Sequence, residues 1–367
     1  MNFDFSEEQK LLQKTARDYL DEHSPLSAAR GVLESGGTHD AKLWKGVAEM
    51  GWLGAVVPEA YGGAGFGHLE LSLLAMEVGR ALAPIPFGPS VYLVTEAILT
   101  AGTEAQKQRW LPGLASGDVI GTFAQTERSG RGTAASVATS FKNGTVSGTK
   151  LPVQDATLAN LLLAVVQTGR GPGLALVELD GAAAKAEPIA CVDGSRPLGR
   201  LELRDAPAEL LGGDGGTAVT IAELMDRAAV LTAFEQVGGA ERVLEMTRDY
   251  TMGRYAFGRP IASFQALKHR MADMYGLLQV ATSNAYYGAW ALASGAAELP
   301  TAACGARISA CDAYEHCATE MIQMHGGVGY TWEYDCHLFY RRAKLLGLAI
   351  GTAHEWRDRL ITRLEEQ

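Results

Sequence analysis

The sequence predicts an α+β protein with segregated layers. An N-terminal helical domain over residues 1–117 precedes a middle β-barrel-like domain over 118–216 and a C-terminal four-helix bundle over 217–367. Three observations carry that reading. The first third places apolar residues at helical spacing between turn-rich breaks. From Val119 to about Leu211 the apolar residues come instead in short runs bounded by turn residues. After Gly212-Gly213-Asp214-Gly215-Gly216, a flexible boundary by composition, long helical periodicity returns. Helices, then strands, then helices, without βα alternation, is the order of an α+β chain.

Each element has a local reason. Ser6-Glu7-Glu8-Gln9 has the pattern of a capping box, and Leu11, Leu12, Tyr19 and Leu20 follow on one stripe. Leu43 to Met50 and His68 to Leu82 carry the same periodicity. Between them Val57-Pro58-Glu59-Ala60-Tyr61-Gly62-Gly63 reads as a loop, and Pro84, Pro86 and Pro89 mark a second break. A short helix beginning at Glu104 is expected to stop at Pro112. Asn143-Gly144 before Thr145 to Gly148 is a hairpin signal. Leu161 to Val166 and Gly173 to Glu178 read as buried strands. Ala218 to Met252, Ile261 to Ser294, Ala302 to Met324 and Leu338 to Leu364 read as long helices. The chain has no internal repeat of solenoid length.

Composition excludes several classes. Thirty-two basic against 42 acidic residues give a net charge of −10, which argues against a nucleic-acid binder. No apolar run approaches the ~20 residues of a membrane helix. Met1-Asn2-Phe3-Asp4-Phe5 lacks the basic and apolar regions of a secretion signal. The five cysteines, Cys191, Cys304, Cys311, Cys317 and Cys336, contain no C-x-x-C pair. Neither a metal site nor a disulfide framework is expected, and a cytoplasmic location is. Glycine is unusual, at 43 of 367 residues. Part of this is compositional, alongside the many alanines. Another part, at Gly62-Gly63, Gly258, Gly326-Gly327, Gly329 and Gly351, lies where backbone approaching a ligand would need it.

Five strings occur in order along the chain. They are Val57 to Gly63; Gln106-Lys107-Gln108-Arg109-Trp110-Leu111-Pro112 with Ala115-Ser116-Gly117; Phe123-Ala124-Gln125-Thr126-Glu127; Arg254-Tyr255-Ala256-Phe257-Gly258-Arg259-Pro260-Ile261 with Phe264-Gln265; and Gln323-Met324-His325-Gly326-Gly327-Val328-Gly329-Tyr330. Together they resemble, over essentially the whole chain, the acyl-CoA dehydrogenase family of flavoenzymes. Its corresponding motifs are VPExYGG, QKxxYLP…ASG, FAxTEPxAGSD, RxxFGxPIxxFQ and QxxGGxGY. The resemblance implies FAD as cofactor, an acyl-CoA substrate and an electron-transfer flavoprotein as acceptor. It implies that Thr126 meets the flavin ring edge and that Arg254, Phe257, Gln265, Gln323, Gly326 and Gly327 serve the nucleotide end. Arg254 supplies a permanent planar cation for phosphate oxygens. The glycines let backbone N–H groups approach the adenosine.

The chain departs from the family twice. At the flavin ring, Arg128 stands where the motif has Pro, and Ser129-Gly130-Arg131-Gly132-Thr133 lacks its Gly-Ser-Asp run. Lys150-Leu151-Pro152-Val153-Gln154-Asp155 replaces KxWIT, which puts Pro152 for a Trp that covers the flavin and Gln154 for a Thr that bonds it. The second departure is the catalytic base. The reaction takes a proton α to the thioester while hydride leaves the β carbon for the flavin, so a carboxylate must face the α carbon. The commonest family pattern runs RDAK, five residues, Glu-Gly-Thr. Here Arg341-Arg342-Ala343-Lys344 leads without a gap to Ile350-Gly351-Thr352. Ile350 cannot take a proton, although its N–H could polarise the thioester carbonyl, as the Glu N–H does in the family.

Some family members place the base on the first long C-terminal helix. Ungapped counting puts Ala228 there, with Asp226 two residues earlier and roughly 200° around the helix. Asp226 is the catalytic candidate; its plainer reading is a carboxylate favoured by the positive end of the helix. His354 and Glu355 read as exposed helix residues. Three hypotheses stay open. The chain is one subunit of a heteromer of the actinobacterial type that acts on steroid-derived CoA thioesters. In that type one chain carries base and flavin pocket, and the other completes the nucleotide site. Otherwise it is self-sufficient with a relocated base, or a non-redox scaffold.

Overall fold

The structure is a computed structural model that describes residues 5–128, 134–179, 181–213 and 218–366. Helices α1 (Glu7–His23), α2 (Leu26–Ser35), α3 (Ala41–Glu49), α4 (His68–Arg80), α5 (Glu96–Ala101) and α6 (Glu104–Ser116) open the chain. Strands β1 (Gly121–Ala124), β2 (Ser140–Lys142), β3 (Thr145–Gln154), β4 (Leu161–Thr168), β5 (Gly171–Glu178), β6 (Ala184–Ile189) and β7 (Leu198–Leu210) follow. Then come α7 (Ala218–Gly253), the short hairpin β8 (Tyr255–Ala256) and β9 (Arg259–Pro260), α8 (Gln265–Ser294), α9 (Leu299–His325), α10 (Cys336–Leu348) and α11 (Ala353–Glu365). The α+β order read from the sequence is the order observed. The Gly212–Gly216 boundary and the Ser129–Thr133 run lie partly or wholly outside the described residues.

The local signals mostly hold. Ser6 and Gln9 form the reciprocal capping box of α1. Asn143 and Gly144 both take positive φ in the turn between β2 and β3. Two expectations are corrected. Pro112 lies inside α6 and does not stop it. The bond it forfeits would end on the carbonyl of exposed Gln108, where water serves instead, while buried Trp110, Leu111 and Leu114 hold the helix down. The helix expected over Leu338–Leu364 is two, because the chain leaves α10 at Ala349 and restarts at Thr352. Thr352 and Glu355 form a capping box, as Thr103 and Gln106 do at α6, and its T-x-x-E signal is legible in the sequence.

The chain divides into two compact units, Met1–Arg30 with His68–Ala83 and Ala229–Gln367, and Gly31–Gly67 with Pro84–Ala228. In the second, the strands run in the order β1-β4-β2-β3-β7-β5, with β6 on β7. Pairing of β4 with β5 closes the ring β4-β2-β3-β7-β5. Its interior is filled by alternate residues, among them Val146, Val153, Leu162, Ala164, Val166, Ala175, Val177, Leu201 and Leu203. β1 joins β4 in parallel, with Gly121 opposite Leu161.

The first unit is helical. Its helices α4 and α7 cross at glycines: a Cβ on Gly79 would lie 1.8 Å from the Glu235 carbonyl oxygen, and one on Gly238 1.8 Å from that of Met76. Ion pairs flank the crossing. Arg17 of α1 holds Glu77 with two bonds of 2.9 and 2.8 Å, and Arg80 bonds Glu245 of α7 at 2.5 Å. Two backbones this close leave no room for a methyl group. Gly238→Ala should therefore lower unfolding stability by about 2–3 kcal/mol or more. Urea unfolding measures it, and a variant within 0.5 kcal/mol (roughly the noise of a surface change) would show that the crossing adjusts freely.

Candidate active site

The residues matched to the flavin ring edge lie in the β unit. The Thr126 hydroxyl donates to the Pro152 carbonyl at 3.3 Å, and the Leu151 N–H donates to Thr126 O at 3.0 Å. The segment after β1 and the second half of β3 are thus laced side by side. The lacing is anchored by Lys150, which is buried. Its Nζ donates to Gln125 O (3.2 Å), Val165 O (2.6 Å) and Glu127 Oε1 (2.9 Å). Glu127 also accepts the Ala138 and Thr139 amides, each at 2.7 Å. Burial alone would raise the Glu127 carboxyl. Bonds from Thr139, the two amides and Lys150 outweigh it and hold the carboxyl at about 2. Burial pushes the Lys150 ammonium down to about 8, against the pull of Glu127.

Beyond Gln154, Asp155 is buried with φ 54° and receives Arg196 Nη2 at 2.9 Å. Arg196 carries no local sequence signal, because its partner is 41 residues away.

The nucleotide-side candidates lie in the helical unit. Phe257 sits at the tip of the β8–β9 hairpin, 94% exposed with φ 52°, beside Gly258. Arg254 is exposed just before that hairpin, and Gln265 is exposed at the first position of α8. Gln323 is exposed in the last turn of α9, and its carbonyl accepts the Gly326 N–H. The ends of α7 and α9 meet through Tyr250 and His325, whose rings stack at 4.0 Å while the Tyr250 hydroxyl donates to His325 O at 3.2 Å. His325 donates from Nδ1 to Met321 O at 2.7 Å, and burial lowers its pKa. Gly326, at φ 65°, and Gly327 face open space. Gly329 has a different reason for being glycine: its Cβ would meet Ile322 O at 2.6 Å.

The turn between α10 and α11 carries the position of the missing base. Ile350 is 8% exposed, and its carbonyl accepts the buried Trp356 indole N–H at 3.2 Å. Gly351 takes φ 101°, which an L side chain resists, and donates to Leu348 O at 3.3 Å. Thr352 caps α11 with Glu355, whose Oε2 accepts the Thr352 N–H at 2.7 Å. Arg307 of α9 reaches the turn from the interior, bonding the Leu346 carbonyl and, at 3.4 Å, that of Gly351. The Ile350 N–H finds no acceptor of hydrogen-bond geometry among the described residues. Arg342, where the RDAK pattern has Asp, is buried 4.0 Å from buried Glu235 of α7.

The neighbouring candidates differ in setting. His354 is exposed, but Glu355 is half-buried and engaged in the cap. Asp226 is 3% exposed and lies in the third turn of α7, which begins at Ala218. It is therefore past the reach of the helix's positive end, and the macrodipole does not account for it. Among the described residues no group of three or more His, Cys, Asp or Glu could hold a metal ion, and no helix is long and apolar enough to cross a membrane.

Helices, then a closed β unit, then helices along the chain is the order of a family of flavoprotein oxidoreductases. Residues 6–118 match the family model described as acyl-CoA dehydrogenase, N-terminal domain, and residues 214–364 that of the C-terminal domain. The chain belongs to the acyl-CoA dehydrogenase family. It is 32% identical to the acyl-CoA dehydrogenase IpdE2 of Mycobacterium tuberculosis (strain ATCC 25618 / H37Rv) over 340 residues, 92% of this chain and 91% of that one. Among solved structures it is similar to the Tcur3481–Tcur3483 steroid ACAD, with TM-score 0.90 and 31% identity over 98% of each chain. It is also similar to the ChsE4–ChsE5 complex from Mycobacterium tuberculosis, with TM-score 0.91 and 27% identity over 100% of each.

The Lys150–Glu127 bridge gives a signed pH expectation. The folded-state carboxyl is held at about 2 against an ordinary value of 4.5, so its contribution is complete above 4.5 and is lost as pH falls toward 2. Glu127→Gln should cost about 3–5 kcal/mol at neutral pH, because it strands a buried ammonium. It should also flatten the acid limb of the stability curve. Adding Lys150→Met should recover part of the loss. Urea unfolding at stepped pH tests this, and unchanged curves for Glu127→Gln would refute it.

Proposed function

We propose that this chain takes part in the FAD-dependent α,β-dehydrogenation of an acyl-CoA thioester as one subunit of a heteromer. An unlike chain of the same family supplies the catalytic base. The observation that carries the reading is Ile350: the turn that would present a carboxylate is intact in backbone, with an isoleucine in its place. The names of two similar solved structures, Tcur3481–Tcur3483 and ChsE4–ChsE5, each join two chains, which supports the reading. The first of them makes a steroid-derived CoA thioester the substrate class to test first.

The residues present fit FAD. Open backbone at Gly326 and Gly327, together with the exposed Arg254 and Gln265, leaves room and donors for a nucleotide. Arg254 and Gln265 would hold the diphosphate, with Phe257 on the hairpin nearby in sequence. Gln323, Gly326 and Gly327 would border the adenosine, and Thr126 would meet the ring edge. Bound FAD supplies the hydride acceptor. Of this chain's own groups, the Ile350 N–H holds and polarises the thioester carbonyl, which acidifies the α carbon. The α proton passes to the partner's carboxylate. An electron-transfer flavoprotein would be the final electron acceptor.

Co-expression with base-bearing chains of the family tests this through absorbance and mass in solution. A yellow heteromer with turnover is expected, and this chain alone should turn over at least ~100-fold more slowly, the contribution of a positioned base. A homo-oligomer with one FAD per chain and full turnover would overturn the heteromer. Asp226→Asn separates the rival base: turnover within about twofold is expected, whereas a fall on the order of 100-fold would make Asp226 the base.

A further inference from the structure

We infer that Arg307 is a positioning residue for the turn that receives the thioester. The inference rests on the role proposed above for the Ile350 N–H. Arg307 is fully buried in the middle of α9. Its Nη1 donates to Oε1 of Gln236 on α7, which aims the guanidinium. Its Nη2 donates to the carbonyl of Leu346, in the last turn of α10, and to that of Gly351 at 3.4 Å. One planar cation therefore ties down carbonyls on both sides of Ile350.

Peptide planarity makes this consequential. The Ile350–Gly351 peptide is fixed by Trp356 on its oxygen and by Gly351 N–H on Leu348 O. The Ala349 N–H donates to Leu346 O, the same carbonyl that Arg307 holds. The peptide between them, which carries the Ile350 N–H, is flanked on both sides by bonded peptides, and its donor meets no acceptor of hydrogen-bond geometry among the described residues. A cation at the last turn of α10 also suits the negative end of that helix. Its field adds to the donor's hold on a carbonyl oxygen that gains negative charge. Among the described residues no carboxylate hydrogen-bonds Arg307, although the Glu235 carboxylate acts on its charge, so its hydrogen bonds are given to Gln236 and the turn. A neutral packing residue would fill the same space without that field.

The test uses the FAD-loaded assembly that turns over, with a saturated acyl-CoA labelled with carbon-13 at the thioester carbonyl. In the wild type the bound carbonyl stretch should move to lower frequency than in free thioester. Arg307→Met should abolish at least half of that shift. It should lower kcat on the order of 10–100-fold with KM within about threefold, as expected when a donor is misplaced and substrate contacts survive. Arg307→Lys should restore part of both. Should Arg307→Met fail to fold, Gln236→Leu, which releases only the aiming bond, should give a smaller change of the same sign. A folded Arg307→Met with wild-type carbonyl frequency and kcat would reduce Arg307 to a structural role, leaving the Ile350 reading intact. No shift in the wild type would remove the Ile350 reading and the inference with it.

Discussion

One buried ammonium organises the edge of the β unit. Lys150 reaches the end of β1 through Gln125 O, β4 through Val165 O, and the chain after β1 through Glu127. A charge without water is costly, and hydrophobic packing of equal volume would often be as stable. What the ion pair adds is direction. An ammonium has three donors, and here each is committed to a different point of backbone or side chain. Thr126 lies between two of those points, and its hydroxyl and carbonyl are bound to the Leu151–Pro152 segment. The flavin-edge candidate is held by its neighbours, whatever its own side chain contributes.

The helical unit solves a similar problem by close approach. Gly79 and Gly238 let α4 and α7 touch backbone to backbone, and the charges of Arg17, Glu77, Arg80 and Glu245 flank the contact. At the crossing itself, the Glu235 side chain lies 4.0 Å from Arg342, the residue that departs from the RDAK pattern. The reversal of sign at residue 342 is answered by a carboxylate on a different helix. The departure is therefore built into the interior. A buried arginine left without such a neighbour would be strongly destabilising.

Much of this was legible. Capping boxes, the Asn143-Gly144 turn and the change from helical to strand periodicity are written within a few residues of one another, and they recur in the structure. The misread elements also have local explanations. Pro112 is a helix-stop signal that buried Trp110 and Leu114 override, and the T-x-x-E cap at Thr352–Glu355 is set within a continuous helical periodicity. The invisible part is long-range. Arg196 and Asp155 are 41 positions apart, Arg307 and Leu346 are 39, and Arg342 and Glu235 are farther still. No periodicity predicts that a particular buried arginine will meet a particular carbonyl, since that depends on how whole helices settle.

The turn at Ile350 shows how folding and function can be separated in such a site. Gly351 takes a conformation that glycine tolerates, Thr352 and Glu355 start α11, and Trp356 holds the Ile350 carbonyl. Each has a folding reason, so an intact turn by itself does not argue for chemistry. An isoleucine at 8% exposure has one too, since it is an apolar side chain kept from water. The Ile350 N–H is different. Backbone donors usually find acceptors, and the fold brings this one none of hydrogen-bond geometry among the described residues. Stability accounts for every other feature of the turn, and this donor is the one that an incoming carbonyl accounts for better.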